Sequence, residues 1–115
     1  MILKSFKSFR YAIRGIGKVI RYENNAKVHL MATIAVLVAG FYLRISFRDW
    51  CLLLFAITIV WITEIINTAI ERLVNLISPN YNKEAGTIKD ISAGAVLVAS
   101  IFALIVGGLV LWQYL

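Results

Sequence analysis

The stretch "WCLLLFAITIVWITEIINTAIERLVN", residues 50–75, decides the fold. Its first half, from Trp50 to Thr63, is uncharged and apolar all round. Its second half carries Glu64, Asn67, Glu71 and Asn75 at steps of three, four and four, one stripe on a helix surface. Nothing breaks the pattern until "SPN" at 78–80, where Pro79 ends it. A helix over 50–77 is roughly 42 Å long at 1.5 Å per residue, enough to cross a bilayer and emerge into water on the far side. Two of the chain's six acids stand on it. An ionisable group inside a span costs several kcal/mol and marks a functional site by default.

The flanks agree with a membrane chain. Of 115 residues 61% are hydrophobic, and the mean hydropathy is +0.83. Soluble domains are about 45–50% apolar by a similar count. Residues 26–43 and 91–111 are further apolar runs of near-spanning length, the latter ending on Trp112 and Tyr114. The first run begins only after a long charged stretch, so it is expected to be kept as a span rather than cleaved. Arg44 to Asp49 reads as a short polar turn, with Asp49 paired to Arg48 or Arg44, and "SPNYNKEAGTIKD", 78–90, as a loop. The single cysteine, Cys51, excludes an intrachain disulfide and reads as a small buried hydrophobe. His29 reads as a satisfied core histidine.

In residues 1–22, Lys4, Lys7, Arg10, Arg14, Lys18 and Arg21 recur at helical steps, and so do Phe6, Phe9, Ile13, Ile16 and Ile20. A helix with one basic and one apolar face lies in the headgroup layer. The net charge of +6 is thereby assigned to lipid headgroups and phosphates, not to nucleic acid. Residues 1–27 hold seven Lys or Arg, the 44–49 turn two, residues 72–90 three and the last stretch none. The positive-inside bias then places the N-terminus and the 78–90 loop in the cytoplasm. The expected architecture is an all-α membrane protein, one domain over 1–115, with a surface helix and three spans at 26–43, 50–77 and 91–111.

Glu64 and Glu71 lie about 10 Å apart along the helix, too far to share one ion easily. Glu64, still within the hydrocarbon, is placed to accept a proton from something dissolved in lipid. Glu71, at the water interface, suits a hydrated cation, and Asn67 between them can bridge or orient both. Glu23, at the junction of surface helix and first span, and Lys89-Asp90, before the third, fall at the same level. Hard oxygen donors there suit Mg²⁺, which takes one or two carboxylates and leaves the rest to water and phosphate. The pattern reads as a nucleotide site on a membrane surface with a base reaching into the bilayer. No Walker loop, kinase glycine loop, zinc spacing or nucleophile elbow accompanies it.

"EIINTAIE" (64–71), with "ENNAKVH" (23–29) before it and "KDISAGAV" (89–96) after it, resembles the bacterial small integral-membrane diacylglycerol kinases, a family that includes undecaprenol kinases. The likeness covers nearly the whole chain, "FRYAIRGI" (9–16) included, and the E-x-x-N-[ST]-A-x-E run is its specific element. It implies a homotrimer in the bacterial cytoplasmic (inner) membrane, with sites shared between neighbours, that transfers the γ-phosphate of ATP to a lipid alcohol using Mg²⁺. Position by position, Glu64 matches the family's catalytic base, and Glu23 and Glu71 its metal carboxylates. Tyr11, Asn80, Tyr81, Asn82, Lys89 and Asp90 match nucleotide contacts, and Asn67 the motif asparagine. Lys4 stands where the family has an arginine, losing the bidentate fork. Asn75 stands where the motif usually closes with Asp, which removes a charge beside the site. The rival from another class is a small oligomeric transporter or channel with Glu64 as coupling acid. It requires no gathering of Glu23, Glu71, Lys89 and Asp90 at one interface.

Overall fold

A computed structural model describes residues 2–115 as four helices: α1 (Ile2–Tyr22), α2 (Asn24–Leu43), α3 (Phe47–Ile77) and α4 (Lys83–Trp112). The last three are long and apolar enough to cross a membrane. The all-α class, the amphipathic N-terminal helix and the three spans of the sequence reading are all present.

A single extended residue, Glu23, separates α1 from α2 (φ −101°, ψ 123°). Of α1 only Val19 is buried, so both its basic and its apolar face remain open to an interface. The guanidinium groups of Arg14 and Arg21 lie over the rings of Tyr11 and Tyr22, at 5.8 and 5.4 Å from the ring centres.

The turn between α2 and α3 is tighter than its sequence suggests. Arg44 adopts the left-handed conformation (φ 52°) that closes a helix C-terminus. Two residues on, Ser46 caps α3, its hydroxyl accepting from the Asp49 N–H at 3.2 Å. Residues 47–49 are therefore helical, not turn. Gly40 is required just before the bend, because a Cβ there would stand 2.6 Å from the Trp50 ring. Phe41 completes the contact, its ring centre 4.8 Å from that of Trp50.

Asp49 corrects one expectation. It is buried and pairs with neither Arg44 nor Arg48; the Tyr114 hydroxyl donates to its Oδ2. The same hydroxyl accepts from the Ser46 N–H at 3.0 Å. One phenol thus fastens the C-terminus to the α2–α3 turn beside the apolar cluster of Ile45, Leu53 and Val110. Tyr114→Phe leaves a buried carboxylate and the Ser46 amide unpaired, and is expected to cost about 1–3 kcal/mol. Thermal denaturation in detergent reads this as a lowered Tm; an unchanged Tm contradicts it.

The α3–α4 loop is also shorter than expected, only residues 78–82. Asn82 starts α4 by accepting from the Glu84 and Ala85 N–H groups at 2.8 and 3.4 Å. Residues 83–90, read from sequence as loop, form two turns of helix below the span. Cys51 is exposed on the outer surface of α3, not buried. Helices α3 and α4 pack along most of their length. Helix α2 stands off from them, and the gap between the three holds the clefts described next.

Candidate active site

The polar stripe of α3 turns inward. Glu64, Asn67 and Thr68 are among the most buried residues of the molecule, Glu64 only 2% exposed. The Thr68 hydroxyl donates to the Glu64 carbonyl oxygen at 3.0 Å, which occupies a polar group the membrane could not satisfy. Glu64, Asn67 and Glu71 share a cleft of about 280 Å³ with Asn25 and His29 of α2 and Ser100 of α4.

Asn67 Nδ2 donates to Glu71 Oε1 at 3.3 Å. The anticipated bridge therefore reaches Glu71 and not Glu64. Asn67 Oδ1 and Glu64 Oε2 are buried without a hydrogen-bond partner. Unsatisfied buried acceptors of this kind call for an explanation, and both of these line the cleft. His29 Nε2 approaches Glu64 Oε2 to 3.4 Å, within ion-pair range but without hydrogen-bond geometry. His29 is held from behind: Thr33 donates to its carbonyl oxygen at 2.7 Å and accepts from Trp61 Nε1 at 2.9 Å. The histidine's place beside the buried glutamate escaped the sequence reading. The available signal was a second ionisable residue inside a span, six positions after Glu23.

Around this centre the other expected residues are dispersed. Glu23 is half-buried at the α1–α2 junction, 3.8 Å from the guanidinium of Arg72, the neighbour of Glu71. Both side chains are substantially exposed, so this pair adds little stability. Lys89 donates to Asn75 Oδ1. Asp90 is exposed one residue further. Lys4, Tyr11, Asn80 and Tyr81 are exposed and line no part of the cleft, and Asn82 serves as the cap of α4. Among the described residues no three acidic, histidine or cysteine side chains gather as a metal cage, so Glu23, Glu71 and Asp90 do not form one within a single chain. Glu71 and Asn67 Oδ1, the latter without a partner, nevertheless offer oxygen ligands in one cleft. Such oxygens suit Mg²⁺, which takes one or two carboxylates and leaves the rest of its shell to water and phosphate.

A sequence profile of the prokaryotic diacylglycerol kinases matches residues 10–111, nearly the entire chain and every residue of the cleft. The chain belongs to that family. An undecaprenol kinase of Bacillus subtilis is 39% identical over 105 residues, 91% of this chain and 85% of that protein. A diacylglycerol kinase of Synechocystis is 37% identical over 105 residues, 90% of this chain and 60% of that protein. A diacylglycerol kinase of Escherichia coli is 30% identical over 108 residues, 94% of this chain and 88% of that protein. The family is one of membrane-embedded lipid kinases, and the three apolar helices make this chain an integral membrane protein.

Proposed function

We propose that this kinase transfers the γ-phosphate of ATP to the hydroxyl of a membrane lipid, diacylglycerol or undecaprenol, at the cytoplasmic face of the bacterial inner membrane. The observation that carries the reading is Glu64: a buried carboxylate oxygen without a hydrogen bond, on a spanning helix, two turns from a second carboxylate nearer water.

Glu64 takes the proton of the lipid hydroxyl, or aligns it, as the oxygen attacks the γ-phosphorus in line. The new O–P bond forms as the bond to the β–γ bridging oxygen breaks, and ADP leaves. Glu71 and Glu23 would hold Mg²⁺, with Asn67 fixing the Glu71 carboxylate through its amide. When bound, the ion supplies neutralisation of phosphate charge, the electrostatic contribution on which phosphoryl transfer chiefly depends. Lys89 and Asp90, Lys4 and Tyr11, and Asn80 to Asn82 contact the nucleotide. A homotrimer suits this assignment: Lys4, Tyr11 and Tyr81 are exposed and apart from the cleft in one chain, and a neighbour's cleft can receive them. The N-terminus and residues 78–90 then face the cytoplasm, in keeping with the Lys and Arg of residues 1–27 and 72–90.

Purified protein in mixed micelles, given labelled ATP, Mg²⁺ and the two lipids side by side, is expected to label at least one of them and to stop on chelation of the metal. Folded protein that labels neither lipid refutes the proposal.

A further inference from the structure

One ionisable group of the cleft has no part in the mechanism above: His29, the single histidine of the chain. It also lines a second cleft, of about 220 Å³, between the same three helices. Its side chain is 17% exposed and that of Glu64 2%, and Nε2 faces Glu64 Oε2 at 3.4 Å. A nitrogen and a carboxylate oxygen that face each other this closely, both with bare lone pairs, repel unless a proton stands between them. The other donors on this side of α3 are directed elsewhere. Trp61 Nε1 donates to Thr33 Oγ1, Asn67 Nδ2 to Glu71 and the Thr68 hydroxyl to the Glu64 carbonyl oxygen. Glu64 Oε2 is left without a hydrogen bond, with the imidazole beside it.

The imidazole is also braced. The Thr33–Trp61 hydrogen bond joins α2 to α3 about one turn from the His29–Glu64 contact. The Trp61 ring meets the imidazole edge-on, the centres 6.3 Å apart and the planes at 65°. Two links at adjacent turns hold this part of α2 against the face that carries Glu64.

We propose that His29 is a positioning residue for the phosphoryl transfer: its Nε2–H donates to Glu64 Oε2 and holds the carboxylate with Oε1 toward the lipid hydroxyl. The inference rests on the kinase reading above and deepens it. The contact needs to shorten by only a few tenths of an ångström to reach the usual N–H···O range of about 2.7–3.2 Å. Catalytic hydrogen bonds commonly tighten in this way once substrate is bound. Neutral imidazole suffices, with its proton on Nε2 and its lone pair on Nδ1. The lipid proton passes to Glu64 Oε1 as the O–P bond forms, and the Nε2–H stays on His29.

Glutamine can bring an N–H to the place of Nε2, whereas phenylalanine fills the space of the ring without one. His29→Gln and His29→Phe are therefore assayed beside wild type in mixed micelles, with diacylglycerol and with undecaprenol. His29→Leu serves as a second variant without a donor should His29→Phe fail to fold. His29→Phe is expected to lose on the order of 10²-fold in kcat, the cost of a misplaced reacting group, with the KM for ATP and for lipid unchanged. His29→Gln should recover most of that loss. A single histidine adds a readout independent of turnover. In protein carrying isotopically labelled histidine, with lipid alcohol in the micelle, the Nε2 resonance should move on Glu64→Gln. It should stay in place on Glu84→Gln, an exposed position in the first turn of α4. Equal kcat in the glutamine and phenylalanine variants, a loss carried by KM instead of kcat, or an Nε2 resonance unmoved by Glu64→Gln overturns the inference and leaves the kinase reading standing. Wild type that phosphorylates neither lipid refutes the kinase reading itself, and this inference with it.

Discussion

Glu64→Gln is expected to lower the turnover of lipid phosphorylation by about 10²–10⁴-fold, the range a positioned general base contributes. The amide has the volume of the carboxylate, so the packing of a residue only 2% exposed is preserved. It also removes one partner of the 3.4 Å His29–Glu64 contact, so Tm is measured beside kcat to separate lost stability from lost chemistry. Nucleotide binding should survive, because Glu71, Glu23 and Lys89 lie nearer the water. The Mg²⁺ dependence of the residual activity should match wild type, since Glu64 is assigned to the proton and not to the metal. The decisive readouts are kcat, nucleotide affinity and Tm on the same preparation. A kcat within a few-fold of wild type in folded protein removes Glu64 from the role of base.

Glu71→Gln should act on the metal instead. Its carboxylate is oriented by Asn67, and the glutamine oxygen can still accept that 3.3 Å hydrogen bond, so the side chain stays in place. What is lost is the charge. Loss of even an outer-shell partner costs a metal site about 10–100-fold in affinity, and loss of a carboxylate ligand should cost at least as much. The Mg²⁺ midpoint of activity at saturating ATP should rise by that factor, with part of kcat recovered at high Mg²⁺. An unchanged midpoint contradicts the assignment of Glu71. Glu23→Gln should shift the midpoint in the same direction, since Glu23 approaches Arg72 beside Glu71.

The three spans were legible because each is long, apolar and bounded by charge or proline, and the surface helix because both its stripes run at helical steps. The α3 stripe was legible for the same reason, and it carries the acids of the site. Contacts between helices were not. His29 and Glu64 are 35 positions apart, and Asp49 and Tyr114 are 65 apart. Periodicity fixes which residues share a face but not which turn of one helix meets which turn of the next. The Asp49 pairing went to the nearest arginines in sequence, while the fold supplied a phenol from the far terminus. The start of α4 was missed for a local reason: "NKEAGTIKD" is polar and holds Gly86, so it reads as loop, yet Asn82 two residues before Glu84 is a cap signal. Lys4, Tyr11 and Tyr81 owe their assignment to family resemblance alone, and one chain does not gather them at the cleft.

The most direct measurement is the balance between ADP formed and lipid phosphorylated, taken in vesicles with a transmembrane proton gradient monitored alongside. A lipid kinase with Glu64 as its base yields one ADP per phospholipid, only when lipid alcohol is present, and leaves the gradient intact. Dissipation of the gradient through Glu64 without phosphorylated lipid contradicts the account and makes the buried glutamate a coupling acid instead.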